Sequence, residues 1–349
     1  MSAGLRESLL AGASESAAAP RAGRSALVLA GLAVAVVLCA LVCPLIGATR
    51  LNFAAVFGIG IDASAPNVDR HIFMTTRLPR VLFGLVAGAA LGLAGVVYQA
   101  ILRNDLAEPF TLGVAGGATV GALLAFHLAP MLWAPSLMPF SALLFAMLAV
   151  VVIYGLARRR GPLSSPATLI LAGVTLNFLF GSVILLIQYL SNPYQTMLML
   201  RWLMGGLDTG SLRVAGGCAA IVVATAVVLF GMSRRLNLLA VGDQAAHHLG
   251  VPVESTRLIC LGAASAMAAV IVAYAGPIGF VGLIVPHILR RLIGADHRLL
   301  LPAAALGGAA FLALCDTAAR ALPGGAEIPV GIVTAFLGAP FFLWLLFRR

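Results

Sequence analysis

The constraint that dominates this chain is a succession of apolar runs at 26–47, 81–102, 111–129, 137–157, 167–190, 212–232, 258–275, 278–292, 299–315 and 328–347. About 20 apolar residues in a helix, at about 1.5 Å each, cross the roughly 30 Å hydrocarbon layer of a bilayer. Only structures that satisfy their own backbone polar groups survive there, and runs of this length choose the helix. A chain that is 61% hydrophobic and 10% charged cannot bury so much apolar surface in an aqueous fold. The sequence therefore predicts an all-α polytopic membrane protein, with about ten transmembrane helices in one compact bundle, two of them short.

Residues 1–25 are polar and rich in Ser, Ala and Arg, and they read as a disordered cytoplasmic tail. The run from Ala26 to Gly47 is 22 residues long. That exceeds the apolar core of a secretory signal, so it stays as the first helix of a transmembrane domain over 26–349.

The formal net charge is +10, and all 22 basic side chains are arginine, because the chain has no lysine. A G-x-x-x-x-G-K-[ST] phosphate loop and a Schiff-base lysine are both excluded. If ATP drives this protein, another subunit binds it. The arginines sit at the ends of the runs, which fits membrane topology and not a nucleic-acid face. With the N-terminus in the cytoplasm, 15 arginines fall inside and 7 outside, the bias that the positive-inside rule describes. An even number of spans then leaves both termini cytoplasmic, in a bacterial inner membrane.

Cys39, Cys43, Cys218, Cys260 and Cys315 lie in or beside apolar runs without C-x-x-C spacing, and read as small buried hydrophobes. His287 and His297, ten residues apart, make no metal site. No metal and no disulfide framework is expected.

Between the sixth and seventh runs lies "LNLLAVGDQAAHHLGVPVESTRL", residues 236–258. Leu238, Leu239, Ala245, Ala246 and Leu249 recur near helical spacing, with Gly250 and Pro252 as a stop. The segment predicts a short amphipathic helix bracketed by Gly242 and Gly250. It lacks the arginines and aromatics of a membrane-surface helix between Leu236 and Val253, which points to a protein partner. A structured loop that merely joins two spans stays open.

Gly84, Gly88 and Gly92 in the second run, and Gly113, Gly117 and Gly121 in the third, have the four-residue spacing that lets helix backbones approach. Gln99, Asn177 and Gln188 are polar groups inside apolar runs, with His127 and Thr175 weaker examples. Such groups either line a pathway or bond helix to helix. Thr196 to Leu207 is amphiphilic and too short to cross, and reads as a partial helix at the outer rim.

Three further stretches carry a resemblance: residues 77–118, "RLPRVLFGLVAGAALGLAGVVYQAILRNDLAEPFTLGVAGGA"; residues 275–298, "AGPIGFVGLIVPHILRRLIGADHR"; and residues 327–346, "EIPVGIVTAFLGAPFFLWLL". With 236–258 they resemble the permease subunits of ABC importers for iron-siderophores, haem and cobalamin, the large ten-helix type II class. The resemblance runs from about residue 77 to the C-terminus.

It implies a homodimer of permeases, two cytosolic ATP-binding subunits carrying ATP and Mg, and a periplasmic substrate-binding protein. It also implies that 236–252 is the cytoplasmic coupling segment, with Gly242, Ala245, Ala246, Leu249 and Gly250 touching the ATPase. Arg77, Arg80 and Arg320 are implied as docking residues for acidic groups of the binding protein, although Asp316 is placed to hold Arg320 in an i,i+4 pair. The fifth span is implied as pathway-lining, which selects Asn177 and Gln188, with Gln99 as a further candidate. The family's Asn-Pro-Leu-Ala is here Asn104, Asp105, Leu106 and Ala107, a departure at the cytoplasmic turn.

The function expected is a permease that imports a metal chelate, foremost an iron-siderophore, with cobalamin and haem as alternatives. An ion-gradient transporter needs intramembrane carboxylates, and only Asp316 comes near. An intramembrane enzyme needs H-E-x-x-H, G-x-S-x-G or paired acids at depth, and no convincing one is present.

Overall fold

The computed structural model describes residues 3–47, 49, 51–57, 67–128, 137–158, 166–208, 211–321 and 327–347. Arg159, Arg160, Arg348 and Arg349, counted above as cytoplasmic, lie outside these. Among the described residues the regular elements are all helical. They are α1 Ala3–Val42, α2 Leu78–Leu102, α3 Val114–Leu128, α4 Leu137–Arg158, α5 Pro166–Leu190, α6 Pro193–Leu203 and α7 Leu212–Gly231. They continue with α8 Ser233–Val241, α9 Asp243–His248, α10 Val253–Ala275, α11 Val281–Ile293, α12 His297–Ala321 and α13 Val330–Phe347. Short helical turns over Phe53–Val56 and Val68–Ile72, and a π-turn over Phe73–Arg77, lead into α2.

Among the described residues, seven helices are long and apolar enough to cross a membrane. With the shorter apolar α3 and α13, and the 13-residue amphipathic α11, these helices follow the ten runs in order. α1 begins at Ala3, so its helix extends over residues 3–25. Alanine dominates that stretch, and alanine loses the least on entering a helix.

The bundle is organised around α2, most of whose residues are buried. Its glycines explain why. A Cβ on Gly88 would lie 2.1 Å from the Gly308 carbonyl oxygen on α12, and one on Gly92 would lie 2.4 Å from the Ala304 oxygen. Gly95 meets the Gly282 oxygen of α11 in the same way, at 2.0 Å. Between membrane helices, where lipid is as apolar as the side chains, such backbone contact supplies the van der Waals gain. Gly117 and Gly121 do the same for α3 against Phe145 and Ser141 of α4. Gly113 lies outside α3, at a turn with φ 75°, because the chain must reverse there before the helix starts.

Helix ends follow local chemistry. Asn192 and Gln195 form a reciprocal capping box that starts α6 immediately after α5. Ser211 caps α7 through the Arg213 amide at 3.2 Å. Arg103 ends α2 in the left-handed region, φ 48°, which turns the chain back toward α3.

Candidate functional site

The expected amphipathic segment is two helices, α8 and α9, broken at Gly242, whose φ of 154° few other residues adopt. Gly250, φ 80°, turns the chain away after α9. Leu239 and Ala246 are buried against Val251 and Val253, so this element has its own small core. Ala246 therefore does not face outward as a contact residue, a correction set by the helical register that points it inward. Ala245, Leu249 and Gly250 are exposed, and so is Val241.

Ion pairs lock this projecting element to the bundle. The Asp243 carboxylate accepts from Arg103 at 2.9 Å and from Arg257, itself buried, at 2.9 Å. On α8, Asn237 donates to Asp296 at 2.8 Å and accepts from the His297 amide at 2.9 Å. The Asn237 bond, helped by the Arg298 amide, holds the Asp296 carboxyl below the usual carboxylate range against its partial burial. Asp105, in place of the family's proline, pairs with Arg290 of α11 at 2.9 Å. The altered turn is thereby anchored.

At the other end of α2, about 37 Å along a 25-residue helix, lie the three arginines expected to meet a binding protein. All three are buried and bonded inside the chain. Arg77 donates to the carbonyls of Leu45, at 3.2 Å, and Thr49. Arg320 donates to Asp316 at 3.0 Å, the i,i+4 pair, and to the Ile46 carbonyl at 2.9 Å. A desolvated guanidinium must find acceptors, and the chain supplies them.

Arg80 is divided between two settings. Its Nε and Nη2 face buried Asp316, while Nη1 meets Asp208 at 2.6 Å and Glu327. Those last two carboxylates are 59% and 48% exposed, so the surface above Arg80 is acidic.

The polar residues expected in the pathway divide. Gln99 is buried, donating to the Gly282 carbonyl at 3.0 Å and accepting from Arg290. It bonds helix to helix, where α2 and α11 approach closely. Asn177 on α5 donates to the Phe110 carbonyl at 2.7 Å and ties α5 to the 103–113 connection. Gln188 lies half-buried near the end of α5, and its backbone carbonyl accepts from the Ser191 amide at 3.2 Å. The α5 face around them is apolar and exposed, with Phe178, Leu185 and Tyr189 outward.

The rim helix is pinned by its C-terminal end. Gly206 donates to the Ala275 carbonyl at 2.8 Å, and Gly331 at the start of α13 donates to the Gly205 carbonyl at 3.3 Å. Beneath it lies a cavity of about 450 Å³ lined by Leu203, Met204, Phe110, Phe280, Ile332 and Glu108. Glu108 was not singled out from the sequence; the signal was a carboxylate immediately before Pro109 amid apolar neighbours. It is buried and accepts from the Phe280 amide at 3.3 Å, at the N-terminus of α11. Burial pushes its carboxyl up to about 7, with the Phe280 amide opposing. Phe280 itself holds a left-handed φ of 69°.

The sequence profile of the FecCD transport family matches residues 20–348. The hemin transport system permease of Yersinia pestis is 38% identical over 93% of this chain and 96% of its own length. The cobalamin import system permease of Halobacterium salinarum is 40% identical over 86% of this chain and 79% of its own. The iron(3+)-hydroxamate import permease of Bacillus subtilis is 36% identical over 80% and 84%. Among solved structures, a metal-chelate type ABC transporter in an inward-facing conformation superposes with a TM-score of 0.81 and 33% identity, covering 92% of this chain and 99% of that one.

Proposed function

Because the chain belongs to the FecCD transport family and is thus a permease subunit of the ABC importers for metal chelates, haem and cobalamin, we propose that it carries a ferric siderophore inward across the bacterial inner membrane as one half of a homodimer. Two cytosolic ATP-binding subunits hold ATP and Mg, and a periplasmic binding protein delivers the cargo. The observation that carries the transport mechanism is the α8–α9 element. It projects Val241, Ala245 and Leu249 outward while Asp243 fastens it to α2 through Arg103 and to α10 through Arg257. A short helix that is exposed on one side and braced on the other delivers movement of a bound subunit to the bundle.

In this reading ATP binding draws the ATPase pair together, α8–α9 moves with it, and α5 with rim helix α6 changes the side to which the central space opens. The apolar outward face of α5 meets the second permease. The binding protein engages Arg80 by exchange, its own carboxylates replacing Asp208 and Glu327 on Nη1, while Arg77 and Arg320 act as internal struts. Cargo selection rests with the binding protein, since a large apolar passage discriminates poorly between bulky ligands.

Haem is the second reading, favoured by the hemin permease that aligns over 93% of the chain. The deciding experiment reconstitutes the permease with its ATPase and binding protein in proteoliposomes and compares ATP-dependent uptake of a ferric hydroxamate, haemin and cobalamin. Uptake of the ferric hydroxamate above the other two supports the proposal; preferential haemin or cobalamin uptake moves the cargo, and uptake without ATP overturns the importer mechanism.

A further inference from the structure

Helices α4 and α7 each pack against α10 and leave a groove between them whose floor is α10. Its volume is about 520 Å³, and its walls include Phe140 and Leu143 of α4, Ile221 of α7 and Val270 of α10. At one end the groove meets the first turns of α4 and α7 and the last turn of α10, the level at which these three helices leave the apolar layer.

Two polar side chains line that end, Arg213 and Tyr274. The Arg213 side chain is exposed and, among the described residues, its guanidinium has no hydrogen bond or ion pair. The Tyr274 hydroxyl likewise has no partner among them. From Arg213 to Ile221 the groove descends eight residues of helix, about 12 Å. A cation over an apolar trough that opens toward the bilayer is complementary to one class of molecule.

We propose that this groove binds an anionic phospholipid, its phosphate on Arg213 and Tyr274 and one acyl chain lying along α10 between Phe140 and Ile221. A guanidinium fits a phosphate through two parallel N–H donors, and the interfacial tyrosine adds a third. Apolar contact alone does not discriminate between lipids, so the charge at Arg213 sets the preference. The site is separate from the cargo path and from both docking ends, and it holds whatever the cargo is.

Glycine supplies the test. A Cβ at Gly217, which lines the groove, meets nothing within 4 Å, and neither does one at Gly216 beside it, which does not line it. Gly217→Leu therefore places a Cβ in the trough without a clash and extends an apolar side chain from it, and Gly216→Leu is its control. Full-length protein in mild detergent is titrated with phosphatidylglycerol or phosphatidylcholine and read by native mass spectrometry, with helix content and monodispersity checked for each variant.

Wild type is expected to bind phosphatidylglycerol about fivefold better, the ratio equivalent to about 1 kcal/mol for one arginine at an anionic headgroup. Arg213→Gln removes the preference, Gly217→Leu lowers binding of both lipids, and Gly216→Leu changes neither. Equal binding of the two lipids by wild type overturns the proposal, as does unchanged binding in the Arg213 and Gly217 variants. A Gly217→Leu variant that alters the oligomeric mass and not lipid occupancy would show that a protein helix occupies the groove, and that too overturns it.

Discussion

The Nη2 of Arg80 lies 2.9 Å from Oδ1 of Asp316, and the two side chains are only 6% and 1% exposed. Asp316 also accepts from Arg320 at 3.0 Å, so one carboxylate pairs with two buried guanidinium groups on different helices. Removing one partner of a buried pair leaves charge stranded, at a cost of about 3–5 kcal/mol, whereas an exposed pair contributes about 0–1 kcal/mol. Asp316→Asn is therefore expected to lower the thermal unfolding midpoint in detergent far more than Asp208→Asn. Equal effects would place the exposed and buried pairs on the same footing.

Asp208 competes with any carboxylate that approaches Arg80 from outside. Asp208→Asn is expected to strengthen binding-protein association several-fold at low salt, and Arg80→Gln to weaken it, both measured by surface-immobilised permease in nanodiscs. Weaker binding on loss of Asp208 would mean that Asp208 itself is the contact.

Glu108 gives a pH signature. Its carboxyl is raised from 4.5 to about 7 by burial, so between those values the folded chain holds a proton that the unfolded chain has lost. Stability from this group is greatest below about pH 4.5, falls as pH rises through the window, and levels off above about 7. Glu108→Gln is expected to flatten the slope of unfolding midpoint against pH; a slope unchanged by the substitution assigns the pH response elsewhere.

Leu249, which caps the C-terminal end of α9, is 66% exposed. Leu249→Asp is expected to leave the unfolding midpoint unchanged while abolishing co-purification of the ATP-binding subunit. Asp243→Asn, which releases Arg103 and Arg257, is expected to keep the complex yet lose coupled uptake. A variant at Leu249 that retains the ATPase would remove α9 from the interface.

Gly88→Val is expected to prevent accumulation of folded protein, because its Cβ would lie 2.1 Å from a backbone oxygen that no rotamer change can move. Gly155→Ala, where nothing lies within 4 Å, is the matched control.

The helices were legible because membrane solvent imposes one rule on every span, and length with hydropathy reports it. The glycine ladder in α2 was legible as packing for the same reason. What escaped was which way a polar side chain points. Gln99 and Asn177 look alike in sequence, yet one is locked between α2 and α11 and the other reaches a loop carbonyl on a partly open face. The three outer arginines came from the resemblance and the Asp316–Arg320 pair from its i,i+4 spacing, but the carbonyls of 43–49, and Asp316 as the partner of Arg80, come from segments that only the fold brings together. The contact role of Ala246 came from the resemblance, whereas its spacing grouped it with Leu239, beside which it is buried.

The backbone contacts of Gly88, Gly92 and Gly95 have a mechanical corollary. Helices that touch carbonyl to Cα cannot slide or roll without collision, so α2, α11 and α12 form a stator. In the proposed cycle the part that turns against this frame is the thinly packed α5, few of whose residues are buried.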